Sequence, residues 1–292
     1  MASPASDPVT VALVTPTYRG DLERCELLVE SVRQCCPALE HRLVVDRRDR
    51  SHFRHLEDRA RVVTSETLLP RFTWRVPGSR SIWLRPTSRP TRGWIIQQVL
   101  KLAVASATDA ADVSIFCDSD VTFVRPFATD QVVDHGSVAL LDVDFVNDEV
   151  RHWTDVATRL VGLPDGTLTP RGHVGNLICW RRENVVALTR KIEAVAGMDW
   201  RTALMRLPTF SEYVLYGAFI RGVVGYPDSG QHPSATPLVK ASWGADLTAD
   251  DELQRFFSDL EPATVAVMIH SKDQVSVERY RATIERNWSA PS

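Results

Sequence analysis

The sequence predicts an α/β fold with a central, mostly parallel mixed sheet flanked by helices, in one domain spanning residues 1–292. Three observations predict it. Short β-rich apolar runs alternate with stretches of helical spacing from the start of the chain. One run, Val113 to Cys117, reads as a buried strand ending at Asp118-Ser119-Asp120, and open α/β sheets place ligands where strands end. No internal repeat, low-complexity linker or second-domain boundary interrupts the pattern.

In chain order, Val9 to Val14 is a strand broken by Thr15-Pro16-Thr17, after which Leu22, Leu27, Leu28 and Val32 recur at helical spacing as far as Pro37. Arg42 to Val45, ending at Asp46, and Ala60 to Val63, ending at Thr64, are further strands of one sheet. Ser65 to Arg92 carries prolines, arginines and tryptophans without a period, which predicts a long irregular segment that covers an active site or packs on the body. Gly93 to Ala107 has good helix formers and an apolar face. Val138 to Leu141, Asn176 to Trp180 and Thr264 to Ile269 read as strands, and Glu183 to Ala196, Ser211 to Ile220 and Val275 to Asn287 as helices.

Composition excludes several classes. With 44% hydrophobic and 24% charged residues the chain is ordinary globular material. A formal charge of −3 supplies no general basic field to recruit nucleic acid or an anionic membrane. No apolar run approaches the roughly 18 residues of a membrane span. The opening MASPASDPVT lacks the basic start and apolar stretch of a signal peptide, so the expectation is a cytoplasmic protein. Five cysteines without a CxxC pair argue against a disulfide framework and a cysteine zinc site, and predict small buried hydrophobes. Only Lys101, Lys191, Lys240 and Lys272 among the 34 basic residues are lysines, a bias that fits a GC-rich genome.

Asp118 and Asp120 sit two apart just after an apolar strand, where a kink lets both carboxylates converge on one hard divalent cation. The plain alternative is two solvated aspartates in a turn. Gln98 and Lys101 are three apart and share a helix face from which an amide and an ammonium can reach ribose or phosphate, or simply meet solvent.

VALVTPTYRGD at the start, Asp46 after the second strand, and IFCDSDVTFV in the middle together resemble GT-A glycosyltransferases, in the right order over most of the chain. Trp94-x-x-Gln97-Gln98-x-x-Lys101 is similar to text in a poorly characterised bacterial GT-A-like group. The resemblance implies a Rossmann-type nucleotide-diphospho-sugar transferase fold, with a donor-binding half over about 9–125 and an acceptor-binding half over 126–292. Pro16, Thr17 and Tyr18 would line the base and Asp46 would bond base or ribose. Asp21 is an alternative, as the N-cap of the following helix. Asp118 and Ser119 would meet the diphosphate through a metal held by Asp118, Asp120 and His270. Lys272, in His270-Ser271-Lys272, would neutralise the departing phosphate.

Two aspartates and an imidazole favour Mn²⁺ over Mg²⁺. Glu212 would be the base of an inverting reaction, or only a first-turn glutamate facing the macrodipole. His173 and Asn176, in Gly172-His173-Val174-Gly175-Asn176, would bond donor sugar or acceptor. Trp153, Trp200 and Trp243 would stack on an acceptor or pack in the core. The implied partners are a nucleoside diphosphate sugar, a UDP-sugar first, and an acceptor hydroxyl or amine, with no nucleic acid.

Two other readings remain at this point. Asp118-Ser119-Asp120-Val121-Thr122 also fits the DxDxT nucleophile loop of haloacid-dehalogenase phosphatases, with Lys240 and Asp250-Asp251 in the later roles. Against that, more than 110 residues of strand-and-helix pattern precede the motif, and the surroundings of Lys240 and Asp250-Asp251 read as loop. The third reading is a non-catalytic GT-A-like protein that binds a nucleotide sugar.

Overall fold

The computed structural model of the chain describes residues 9–79, 81–86, 89–243, 245–270 and 272–289. Ser271 of the predicted C-terminal motif lies outside the described residues, as do residues 1–8 of the opening segment.

Five strands form the central sheet in the spatial order Ile178–Arg181, Val113–Phe116, Val11–Pro16, Glu40–Val45, Arg61–Thr64. Four run parallel, and Ile178–Arg181 is antiparallel to Val113–Phe116. The mostly parallel mixed sheet expected from the sequence is therefore the one observed.

Period-two alternation sends each strand's residues to two buried faces. Val14, Val44, Phe116 and Trp180 pack against helix Gly93–Ser106 and helix Glu212–Phe219 on one side. Leu13, Ile115 and Cys179 pack on the other with Leu28 and Val32 of helix Leu22–Cys35. Trp180 is fully buried, stacked on Tyr216 at 4.9 Å and 4.4 Å from Phe116. Truncating such a residue to alanine costs about 3–5 kcal/mol.

A second antiparallel pairing carries the C-terminal part back to the middle of the chain. Ala266–Met268 pairs with Val121–Phe123, with Met268 opposite Val121. The Ile269 N–H then donates to the Asp120 carbonyl at 3.2 Å. This ladder puts His270 beside the acidic loop.

Ser65 to Arg92 is not irregular throughout. It holds a three-stranded antiparallel ribbon, Trp74–Arg75, Ile82–Leu84 and Thr91–Arg92, after a 3-10 turn at Ser65–Thr67. Strands of two or three residues are too short to show a period, so only the pairing reveals them. Helices Asp148–Leu160 and Trp200–Met205 also lie where the sequence reading assigns nothing. The surroundings of Lys240 and Asp250-Asp251 are likewise not loop: Lys240 lies in strand Val239–Ala241, and Asp250 opens helix Asp250–Ser258 with three acids in its first turn. The five cysteines are free and buried, as expected. Among the described residues no helix is long and apolar enough to cross a membrane.

Candidate functional site

Strand order decides where a site can form. The first strand has Glu40–Val45 on one side and Val113–Phe116 on the other, so successive crossovers leave it in opposite directions and a crevice opens past the strands' carboxyl ends. A cleft of about 470 Å³ lies there, and Pro16, Thr17, Tyr18, Asp46, Asp118, Ser119, Asp120 and His270 all line it. Eight predicted site residues, from four separate stretches of chain, thus meet at one place.

The acidic loop is held from two sides. Asn176 Oδ1 accepts the Asp118 backbone N–H at 2.9 Å, and Asn176 Nδ2 donates to Met268 Sδ at 3.2 Å. Asn176 is thus a positioning residue for the loop. The next residue, Leu177, takes φ +57°, a left-handed conformation costly for leucine. On the other side Ser119 Oγ donates to Asp21 Oδ2 at 3.4 Å. Asp21 stands at the N-cap position of helix Leu22–Cys35, but its side chain makes no cap bond and lines the cleft.

Gln98 and Lys101 face inward, and neither lines the cleft. Both are buried. Gln98 Oε1 accepts the Glu212 N–H at 3.0 Å, satisfying a first-turn donor of that helix. Lys101 Nζ donates to Tyr213 Oη at 2.8 Å, pairs with Glu212 Oε1 at 3.0 Å, and lies 3.4 Å from Asp118 Oδ1. Burial pushes the ammonium's pKa down, but Asp118, Tyr213 and Glu212 outweigh it and hold the pKa well above the usual lysine value. Lys101 is a fixed charge.

Glu212 is 4% exposed and does not line the cleft. Its carboxylate is paired with Lys101, where it balances that buried ammonium.

After the second strand Asp46 has both oxygens engaged, Oδ1 by the Arg48 backbone N–H at 2.8 Å and Oδ2 by Arg75 Nε at 3.3 Å. Arg75 also donates to Asp49 and lines the cleft. Burial lowers its pKa, but Asp49 and Asp46 outweigh this and raise it. Arg75 is a site residue that sequence reasoning missed. Its available signal was charge: no Asp or Glu occurs between Glu66 and Asp109.

His270 sits against Trp243, ring centroids 4.9 Å apart, with its Nδ1 accepting the Lys272 backbone N–H at 3.2 Å. A neutral ring so placed carries its proton on Nε2, which suits an anionic oxygen better than a metal. Lys272 is exposed and does not line the cleft.

His173 is also away from the cleft, buried, with Nδ1–H donating to the Leu141 carbonyl at 2.7 Å and burial lowering its pKa. Gly172 makes a close approach to the chain itself: a Cβ there would meet Val143 Cγ2 at 2.7 Å. Trp200 is core and Trp153 is half-buried, with Nε1 on Thr209, whereas Trp243 is 71% exposed and lines the cleft with Trp94.

A divalent cation can be tested against these groups. Among the described residues no three histidine, cysteine, aspartate or glutamate side chains gather at metal-ligand spacing. Asp21, Asp118 and Asp120 nevertheless share one cleft wall. Burial, reinforced by Asp118 and opposed by Arg24 and Ser119, raises the Asp21 carboxyl pKa, and buried Asp118 Oδ1 accepts no hydrogen bond. The first is a mark of crowded negative charge, whereas Asp118 Oδ1 faces the Lys101 ammonium at 3.4 Å without a hydrogen bond. Carboxylate oxygens fit Mg²⁺ or Mn²⁺, whose shells substrate phosphate and water commonly complete.

A search of curated proteins finds no match to the chain. Among solved structures the chain is similar to galactosyltransferase LgtC in complex with donor and acceptor sugar analogs, at 12% identity, covering 96% of this chain and 98% of that one with TM-score 0.48. It is similar to an active-site mutant of LgtC at 12% identity, 96% and 97% coverage and TM-score 0.46. It is also similar to the apo form of mouse xyloside xylosyltransferase 1, at 11% identity, 92% and 100% coverage and TM-score 0.46. The model of a family of unknown function, DUF6492, matches residues 9–289, and the chain belongs to that family.

Proposed function

We propose that this chain transfers a glycosyl group from a nucleoside diphosphate sugar to an acceptor hydroxyl or amine. The observation that carries the reading is the convergence at the sheet's switch point of the Pro16–Tyr18 loop, the Asp46–Arg75 pair and the Asp118–Asp120 loop. A nucleoside diphosphate needs a polar slot for its base and ribose and cationic charge for its phosphates; the loop and the Asp46–Arg75 pair would serve the first, and a cation on the Asp118–Asp120 loop the second.

Asp118 and Asp120 would hold a divalent cation, which would supply Lewis-acid charge to the diphosphate. Tyr18 flanks the base. His270 directs Nε2–H to a phosphate oxygen. Arg75, fixed by Asp46 and Asp49, offers its remaining donors to the ribose or phosphate. Trp94 and Trp243 offer ring faces to the acceptor. Lys101 fixes the orientation of Asp118 from behind. A UDP-sugar with Mn²⁺ is the first donor and metal to try.

The phosphatase reading needs Lys240 and Asp250 at the acidic loop. Neither lines the cleft, and Lys240 Nζ donates to the Phe256 and Asp259 carbonyls instead.

The test is a thermal-shift and calorimetric screen of UDP, GDP, ADP and dTDP with Mn²⁺, Mg²⁺ or EDTA, on wild type and Asp120→Ala. Metal-dependent stabilisation by one nucleotide, lost in Asp120→Ala, is expected. Absence of binding by every nucleotide with every metal, together with hydrolysis of an aryl phosphate, would sink the reading.

A further inference from the structure

The ribbon Trp74–Arg75, Ile82–Leu84, Thr91–Arg92 has two different faces. Directly paired residues in a ladder point the same way, and neighbours along a strand point opposite ways. Arg75 pairs with Trp83 and Trp83 with Thr91, and these three are the inward set, mostly buried, with Arg75 and Trp83 on the cleft wall. Trp74 pairs with Leu84 and Ile82 with Arg92, and these form the outward set. Trp74 is 40% and Ile82 43% exposed.

Beside them Phe72 is 64% exposed and takes φ +64°, a conformation costly for a bulky residue that gains no burial in return. The Arg71 guanidinium sits 4.8 Å from its ring centroid. Arg71, Arg89 and Arg92 are exposed, and no carboxylate pairs with any of them among the described residues. All belong to the acid-free stretch 67–108, which carries six arginines in a chain of formal charge −3. Net charge is an average, and a surface responds to what lies within a Debye length of about 8 Å.

We propose that this outer ribbon face docks the protein on an anionic phospholipid membrane. Arginines meet anionic headgroups, while Phe72, Trp74 and Ile82 enter the interfacial layer. The apolar residues favour lipid over an acidic polysaccharide, because isoleucine has neither a hydrogen bond nor a flat face to give a sugar. The ribbon's inner face walls the cleft, so docking brings the cleft's rim to the membrane surface. The inference stands without the nucleotide reading.

The test is co-sedimentation of the full chain with phosphatidylcholine vesicles, with and without phosphatidylserine, at low and high salt. Binding only to the anionic vesicles, weakened by salt, is expected. Phe72→Ser/Trp74→Ser/Ile82→Ser and Arg71→Glu/Arg89→Glu/Arg92→Glu should each lower it on the order of tenfold or more. Both should keep the wild-type melting temperature and nucleotide response, which separates failed docking from failed folding or a failed site. Binding to neither vesicle, equal binding to both, retention in the two variants, or capture by heparin without vesicle binding would each overturn the proposal.

Discussion

Lys101 Nζ lies 3.0 Å from Glu212 Oε1 in the protein interior, and the same ammonium reaches Asp118 Oδ1 at 3.4 Å. One buried cation ties two helices to the acidic loop, and removing it strands two carboxylates. Breaking a buried pair from one side costs about 3–5 kcal/mol, whereas replacing both partners with apolar groups is often close to neutral. Lys101→Met should therefore lose several kcal/mol in urea unfolding, and Lys101→Met/Glu212→Leu should recover part of that loss. Additive losses in the double variant would show that the pair is not coupled.

Gly217 lies within helix Glu212–Phe219, where alanine would ordinarily stabilise by about 1 kcal/mol. Here a Cβ would sit 2.4 Å from the His173 ring, whose Nδ1 is anchored on Leu141. Overpacking of about 1–3 kcal/mol outweighs helix propensity. Gly217→Ala should lower the melting temperature, and His173→Ala in the same chain should restore much of the difference. A stabilised Gly217→Ala would refute the contact.

Burial pushes the His41 pKa down from 6.5 to about 3. Its Nε2 hydrogen-bonds with Thr15 Oγ1 at 3.0 Å in the sheet. Below pH 6.5 the unfolded chain takes a proton that the folded state refuses, so stability falls as pH drops from 6.5 towards 3, at about 1.4 kcal/mol per pH unit. At pH 5 this one residue removes about 2 kcal/mol. His173 shifts the same way and adds to the slope. Denaturant curves at pH 7 and pH 5 should show the loss, and His41→Gln should flatten it. An unchanged slope in that variant would assign the acid sensitivity elsewhere.

Burial first, and Asp118 as well, raise the Asp21 pKa, so the folded protein resists ionisation of this carboxyl. Stability tied to such a group is lost as pH rises through its ionisation, the reverse of the salt-bridged carboxylate. Asp21→Asn should raise the melting temperature of the free protein at pH 7 while weakening its stabilisation by Mn²⁺. A lower melting temperature in the absence of metal would contradict the charge-surplus account of the cleft.

Much of the site was legible because it sits at strand ends. Apolar runs announce strands, and the residues after them, Pro16–Tyr18, Asp46 and Asp118–Asp120, are placed by the sheet with little freedom. Glu212, Gln98, Lys101, His173 and Asn176 were singled out by type, but type does not reveal partners. A glutamate at a helix start reads equally as base or ion-pair partner until the facing helix is known. Arg75 escaped because its strand spans only two residues.

The sequence by itself determined the α/β class, the main strands and the acidic loop, since those follow from local hydrophobic period and from which residues end a strand. Only the tertiary structure decided that Lys101 pairs with Glu212 in the interior, that Asn176 braces Asp118, and that the ribbon turns Arg75 inward and Trp74 outward. Those are contacts between segments far apart in the chain, and their geometry is set by how helices and sheet pack together.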